Sequence, residues 1–354
     1  MYLYLYPIYL LASFLPGLKL FGGKLFLFFV MQILGLVLAL DVNMTDYFNY
    51  ERIYKETAYF GQLLSGEKSF SDGYGEFGYV LLSSIAKSLG LGYDPFRVVY
   101  FTLLMSIIWI FFVRFKVSIF FASLWYFAYF FHNDGNIIRM AMASSIVMVG
   151  IGYLSLGYVR RFLILILVAS AFHVSVLACL VLLFFYYFRP KRLFFIIALV
   201  VGLIIGLKGG AYILGFLGKL SFFSDSSVYI ISKIVRYLDA GREGAGLLRS
   251  LVVVSMTILV FFLVNFNRMY ISRGHYIWFC SLFITLLFLL VFSDLRLFSD
   301  RMFRLFGMSG GVLLGFLVQN FQGINRLVVS TFLVIFFSAF LCFKYYSLSW
   351  SFLG

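Results

Sequence analysis

Ten apolar runs, at about 2–18, 24–40, 97–113, 117–131, 138–157, 193–217, 248–267, 276–293, 301–319 and 326–343, dominate this chain of 354 residues. Most approach the length that a helix needs to cross the roughly 30 Å hydrocarbon layer of a bilayer. In hydrocarbon every backbone N–H and C=O must be bonded within the protein, so spanning segments are helices or the strands of a closed barrel. Barrel strands alternate in polarity over about 10 residues. The runs here are longer and do not alternate, which selects helices. Composition agrees, because 63% hydrophobic and 12% charged residues could not cover a water-soluble surface. The sequence therefore predicts an all-α, polytopic transmembrane helical bundle of about 10–12 membrane segments, a single integral membrane domain over residues 1–354. The run from Tyr2 to Leu15 has neither a basic leader nor an A-x-A site and reads as a retained helix.

A net charge of +14 would suit nucleic acid in a soluble protein; here topology explains it better, and no nucleic-acid partner is expected. Lys19, Lys24, Arg114, Lys116, Arg160, Arg161, Arg189, Lys191, Arg192, Arg268, Arg273 and Arg326 lie in short loops that can all be put on one side. The positive-inside rule makes that side the cytoplasm. All fourteen acidic residues then fall on the opposite side or at its edge. That outer side carries two long loops, 41–76 and 218–247. Ordered loops of this length between packed helices tend to be functional.

Two further apolar segments do not fit simple crossings. Residues 162–188 lie between two basic loops, so a hairpin that enters and leaves on the same side is expected, with His173 near its apex. Residues 77–91 lie between acidic stretches and read as re-entrant or interfacial from the other side. Backbone that enters the membrane without crossing is tolerated where protein or a water-filled cavity surrounds it.

Polar residues cluster around these features. In "TDYFNY", Asp46 and Tyr50 are spaced i, i+4 on one helix face, with Tyr47 adjacent. They read as a carboxylate and rings for a sugar, or Thr45 or Asp46 reads as a plain helix cap. In "GEFGYVLL", Glu76 stands where a polar loop meets an apolar segment; the position suits a general base of raised pKa, or an acid placed at a helix start. Gly75 and Gly78 allow close backbone approach. Arg139 opens a span rich in small residues, beside His132, Asp134 and Asn136. It reads as an anchor or as a phosphate ligand. Arg236 and Arg242 in the second long loop, and Arg301 with Arg304 in "SDRMFRLFGM", extend the set. Several outward arginines together suggest a diphosphate ligand, since the planar guanidinium grips phosphate with two parallel bonds. Cys179, Cys280 and Cys342 all lie in apolar runs without metal-ligand spacing, and no phosphate-binding glycine loop is present. No cofactor is expected.

Taken in order, "TDYFNY", "GEFGYVLL", "RMAMASSI", "AFHVSVL" and "DRMFRLFGM" resemble the EpsG-like family of integral-membrane polysaccharide polymerases, which includes many Wzy-type O-antigen and capsule polymerases. The family pattern runs D-x-x-x-Y, E-x-G-Y, a span-opening Arg, F-H-x-S, and an arginine motif near the C-terminus. Asp46 with Tyr50, Glu76 with Gly78 and Tyr79, Arg139, Phe172 through Ser175, and Arg301 with Arg304 match it in order. Departures are Asp41 and Asn43 where the family often has Arg and Gly, Phe77 in place of a common Pro, and Met140 in place of a common Gln.

The resemblance implies a GT-C-like, metal-independent glycosyltransferase of the bacterial inner membrane whose active site faces the periplasm. It would move a growing glycan from undecaprenyl diphosphate to the next lipid-linked repeat unit in lipopolysaccharide or polysaccharide biosynthesis, partnered by membrane lipid and a chain-length regulator protein. On that reading Glu76, Asp46 and His173 are the catalytic candidates. Arg139, Arg301, Arg304, Arg236 and Arg242 would bind diphosphate, and Tyr47, Tyr50 and Tyr79 sugar. A lipid-linked oligosaccharide flippase or an O-antigen ligase is the alternative. A flippase should show internal repeats, and none is found.

Overall fold

A computed structural model of the chain describes residues 21–68, 76–115, 118–208, 272–292 and 296–351, with short stretches between 255 and 266. The described residues form helices and no strand. Those before residue 209 are α1 (Phe21–Leu40), α2 (Tyr47–Glu56), α3 (Phe60–Leu64), α4 (Phe77–Ser88), α5 (Tyr93–Arg114), α6 (Ile119–Tyr129), α7 (Phe131–Asp134), α8 (Ile138–Ser155), α9 (Val159–Ser170), a 3-10 helix (Val174–Leu180), α10 (Val181–Phe188) and α11 (Arg192–Lys208). The C-terminal part holds α12 (Arg273–Val291), α13 (Arg296–Phe306), α14 (Ser309–Gln319) and α15 (Gly323–Ser351).

Three of these, α5, α8 and α12, are long and apolar enough to cross a membrane, and α13 with α14 makes a fourth candidate bent by 49°. The molecule is an all-α polytopic membrane protein. The expected run 117–131 is α6, whose 11 residues give a rod of only about 16 Å, followed by the short α7. The expected first span, the loop 218–247 with Arg236 and Arg242, and much of 248–267 lie outside the described residues.

The chain divides into two compact units, one of residues 1–154, 158–178 and 314–354, the other of residues 155–157 and 179–313. In the first, α1 and α5 run antiparallel along a continuous seam. Phe28 meets Trp109 edge-on, Gln32 donates to the Ser106 hydroxyl at 3.1 Å, and Gly35 lets α1 lie against the backbone and side chains of Phe101 and Met105. Small or hydrogen-bonding residues at such seams let helices approach where the hydrophobic effect gives no help. At the top of the seam the fully buried Arg97 donates to the carbonyls of Leu38, at 2.9 Å, and Asp41. Those carbonyls end α1, so the guanidinium supplies donors that the helix lacks and sits at the negative end of its dipole. Its planar face lies on the rings of Tyr47, Tyr93 and Phe101.

The two segments that resisted a spanning assignment are short helices. α4 has 12 residues, about 18 Å, and ends at Gly90 in the left-handed region, with the Leu91 N–H returning to Ala86 C=O. α9 also has 12 residues, and the chain breaks at Ala171–His173 before the 3-10 helix and α10. His173 lies at that break.

α2 and α4 lie side by side and point the same way. Tyr50 and Tyr79 pack together near their starts, while at their ends Lys87 Nζ donates to the carbonyls of Lys55 and Thr57 and Ser84 donates to Ala58. In the second unit α12 is the buried centre. Gly202 admits Leu287 of α12 to α11, Ser281 donates to Phe306 C=O, and Phe185, Phe195, Phe279 and Phe283 interlock around it. Arg189, with φ of 43°, caps α10 and lays its guanidinium on Tyr276, whose hydroxyl donates to Pro190 C=O.

Arg97→Met removes the donors to the Leu38 and Asp41 carbonyls and should cost about 2–3 kcal/mol. Thermal unfolding of the detergent-solubilised protein should show the loss, with partial recovery in Arg97→Lys. An unchanged melting temperature in Arg97→Met would remove the capping role.

Candidate functional site

Three chain segments far apart in sequence meet near the start of α4. Glu76 is the N-cap residue of that helix, with extended backbone, but its side chain caps nothing. It reaches instead to Arg139, the second residue of α8, where guanidinium Nη1 pairs with Oε2. The other carboxylate oxygen, Oε1, lies 3.8 Å from His173 Nδ1, and the Ser175 hydroxyl stands 3.4 Å from the same ring nitrogen. Glu76 thus stands at a helix start, as one of its two readings has it, with its carboxylate turned to Arg139 and His173 rather than to its own helix. The side chains of Arg139, Glu76 and His173 keep 24%, 27% and 14% of their surface exposed, so the cluster is neither fully dry nor fully solvated.

Backbone brings these groups together. The Gly78 N–H donates to Ala171 C=O at 2.7 Å, which ties the first turn of α4 to the chain break after α9 that carries His173. A Cβ on Gly78 would come within 3.1 Å of both that oxygen and the Phe172 ring, so the glycine is what allows the approach. The spacing in "GEFGYVLL" marked a close approach without showing what approaches.

Beneath the cluster lies an aromatic floor. The Arg139 guanidinium lies over the Tyr50 ring, with its carbon 5.6 Å from the ring centre. Tyr50 packs on Tyr79, and Tyr79 on Phe96 and Tyr100. The Tyr100 hydroxyl donates to Ile138 C=O, beside Arg139. Burial raises the Tyr50 phenol above its usual range.

Asp46 occupies the N-cap of α2 and, like Glu76, makes no side-chain capping bond. Partial burial raises its carboxyl above the usual range, and the nearby Arg139 pulls it back down. The loop before α2 is held to the start of α8 by the Thr45 N–H, which donates to Asn136 Oδ1 at 2.8 Å. The structure thus brings Asp46, Tyr50, Glu76, Tyr79, Arg139 and His173 into one neighbourhood.

Other candidates stand elsewhere. Tyr47 donates to Asp94 at 2.6 Å and carries Arg97 on its ring; burial and that hydrogen bond push its phenol up to about 12. The rings of Tyr47 and Tyr79 are buried against other aromatics. Arg304 is buried on α13 with Nε 3.3 Å from Asp300 Oδ2, and the half-buried Arg301 precedes it by three residues. Both belong to the second unit. Arg236 and Arg242 lie outside the described residues. Asp134 is buried and accepts from Tyr126. Among the described residues no three His, Cys, Asp or Glu side chains gather as metal ligands. Arg97 was not foreseen; its only signal is a cation four residues inside the apolar α5, three after Asp94.

The arrangement can do two things chemically. A guanidinium at the first turn of a helix, where free N–H groups also point, is suited to an anion. A carboxylate between that guanidinium and an imidazole can help move a proton. Gly78→Ala should destabilise the protein by about 1–3 kcal/mol through crowding against Ala171 and Phe172. Gly61→Ala, whose added methyl meets nothing within 4 Å, should be neutral or better. Equal melting temperatures for the two variants would remove the close-approach argument.

Comparison with curated proteins and with solved structures gave no match. The sequence model of the EpsG family, in contrast, matches residues 24–352, a stretch that holds every residue of the cluster from Asp46 to His173 as well as Arg301 and Arg304. On that coverage, and with the cluster assembled from four of the motifs that suggested it, the chain belongs to the EpsG family.

Proposed function

We propose that this membrane protein is a polysaccharide polymerase: a glycosyltransferase that moves a growing glycan from undecaprenyl diphosphate to the next lipid-linked repeat unit, on the periplasmic face of the bacterial inner membrane. The observation that carries the reading is the junction of Arg139, Glu76 and His173. Membership of the EpsG family supports a polymerase-type activity at the membrane. The basic short loops and the acidic longer ones favour the orientation.

In this mechanism the acceptor sugar's hydroxyl oxygen attacks the anomeric carbon of the donor glycan. The new glycosidic C–O bond forms as the bond to the diphosphate breaks, and the lipid diphosphate leaves with the electron pair. The hydroxyl proton goes to the Glu76–His173 pair, with Asp46 as the second acid at hand. Arg139 holds the diphosphate and stabilises the charge that builds on it, the role in which a preorganised cation contributes most. Arg301, Arg304, Arg236 and Arg242 are proposed as further diphosphate contacts. Tyr50, buried under Arg139, holds the guanidinium in place for that diphosphate, while Tyr47 and Tyr79 are proposed with it as the aromatic side of the sugar site. The positive charge comes from arginine, so the mechanism needs no metal ion.

Purified protein given a lipid-linked repeat unit should extend it in the presence of a chelator. His173→Ala and Glu76→Ala should each lower turnover about 10²–10⁴-fold, the range for loss of acid–base assistance. Arg139→Lys should lower turnover and raise the KM for the donor. Wild-type turnover in a folded Glu76→Ala and His173→Ala pair would end the base assignment. In a deletion strain, glycan on gels should stop at one repeat unit; none at all would point to a flippase or ligase instead.

A further inference from the structure

Arg139 uses one nitrogen on Glu76: Nη1 pairs with Oε2, so a diphosphate gripped end-on through Nη1 and Nη2 competes with the carboxylate for that nitrogen. In this arrangement Oε1 stands 3.8 Å from His173 Nδ1, beyond hydrogen-bond length, and the Ser175 hydroxyl stands 3.4 Å from the same nitrogen. Both side chains are about a quarter exposed, so an incoming anion can compete with Glu76 for the guanidinium.

Resting on the polymerase reading above, the geometry points to a displacement switch: the donor's diphosphate draws Arg139 away from Glu76, and the released carboxylate closes on His173, so the Glu76–His173 pair becomes a strong base only while donor is bound. With Arg139 on Glu76, the guanidinium matches the carboxylate's charge. With Arg139 turned to phosphate, that negative charge is left facing the imidazole alone. The other groups around the pair are Asp46 and Tyr50 of the α2 side, Tyr79 of α4 and Tyr100 of α5. The phenols carry no charge near neutrality. Among the described residues Asp46 is a further acid there, and it too feels Arg139. In turnover the proton that fills the armed pair comes from the acceptor hydroxyl. With donor alone, solvent supplies part of it.

Binding and proton uptake are therefore linked, and calorimetry reads both. The full chain in detergent is titrated at pH 7 with farnesyl diphosphate in PIPES and in Tris, whose ionisation heats differ. Wild type should take up a fraction of a proton per ligand bound. Glu76→Gln should lose most of that uptake while binding about fivefold more tightly, because the competing carboxylate is gone. Any proton the ligand itself exchanges is common to both proteins and cancels in the comparison. Equal affinity and equal uptake in the two proteins, or weaker binding by Glu76→Gln, would overturn the switch and leave the diphosphate reading standing. No binding by either protein would overturn that reading and the switch with it.

Discussion

The main-chain hydrogen bond from Gly78 to Ala171 is the interaction on which the site depends. A helix that stops inside or at the edge of a membrane leaves free N–H groups at its start and free C=O groups at its end, and hydrocarbon offers nothing to satisfy them. Here the start of α4 and the end of α9 satisfy one another, one donor against one acceptor. The approach needed for that bond places the residues just before α4 and just after α9 in contact. Those residues are Glu76 and His173. Glu76 suits the end it occupies, since the N-terminus of α4 favours an anion. Arg139 is the exception: a cation at a helix start gains from an anion beside it. Glu76 supplies that anion, and in the proposed mechanism the diphosphate would take its place.

A site made from helix ends needs something stiff beneath it. The packed rings of Tyr50, Tyr79, Phe96 and Tyr100 have few rotatable bonds and little freedom to lose, so they carry the position of one helix to the next. Arg97 extends this support, tying the end of α1 to α5 while its face carries the ring of Tyr47, the first residue of α2. The carbonyls of Lys55 and Thr57, held by Lys87, close the other end of α2. At both of these helix ends a cation supplies the missing donors.

How much of this could be read in the sequence follows from where the information lies. The spanning helices are legible because hydrocarbon permits only a few structures. The acids Asp46 and Glu76 were legible as N-cap residues, but position alone does not tell whether a side chain turns back to its own helix or out to a neighbour. That choice is made by Arg139, which lies 63 residues beyond Glu76 in the chain. The tyrosines show the same limit, since Tyr47 and Tyr50 look alike in "TDYFNY", and only packing sends one to Asp94 and Arg97 and the other under Arg139. Arg97 escaped notice because a single arginine near a span end resembles an interfacial anchor; what sets it apart is that the carbonyls it serves belong to another helix.

The mixture of buried aromatics and half-exposed charge bears on why the polar groups do not neutralise one another permanently. In a fully buried setting the Arg139–Glu76 pair would be hard to break, since separating it would leave two bare charges in a medium of low dielectric. In bulk water the pair would contribute little and would fail to order either side chain. At about a quarter exposure each partner stays close enough to order the other, and water can still lend a charge to a competing ligand. An aromatic face beneath Arg139 helps, because its attraction for the cation holds the guanidinium in the neighbourhood while the anionic partner changes. The depth of the cluster therefore decides whether the arginine is a structural brace or a binding group, and the intermediate depth found here favours binding.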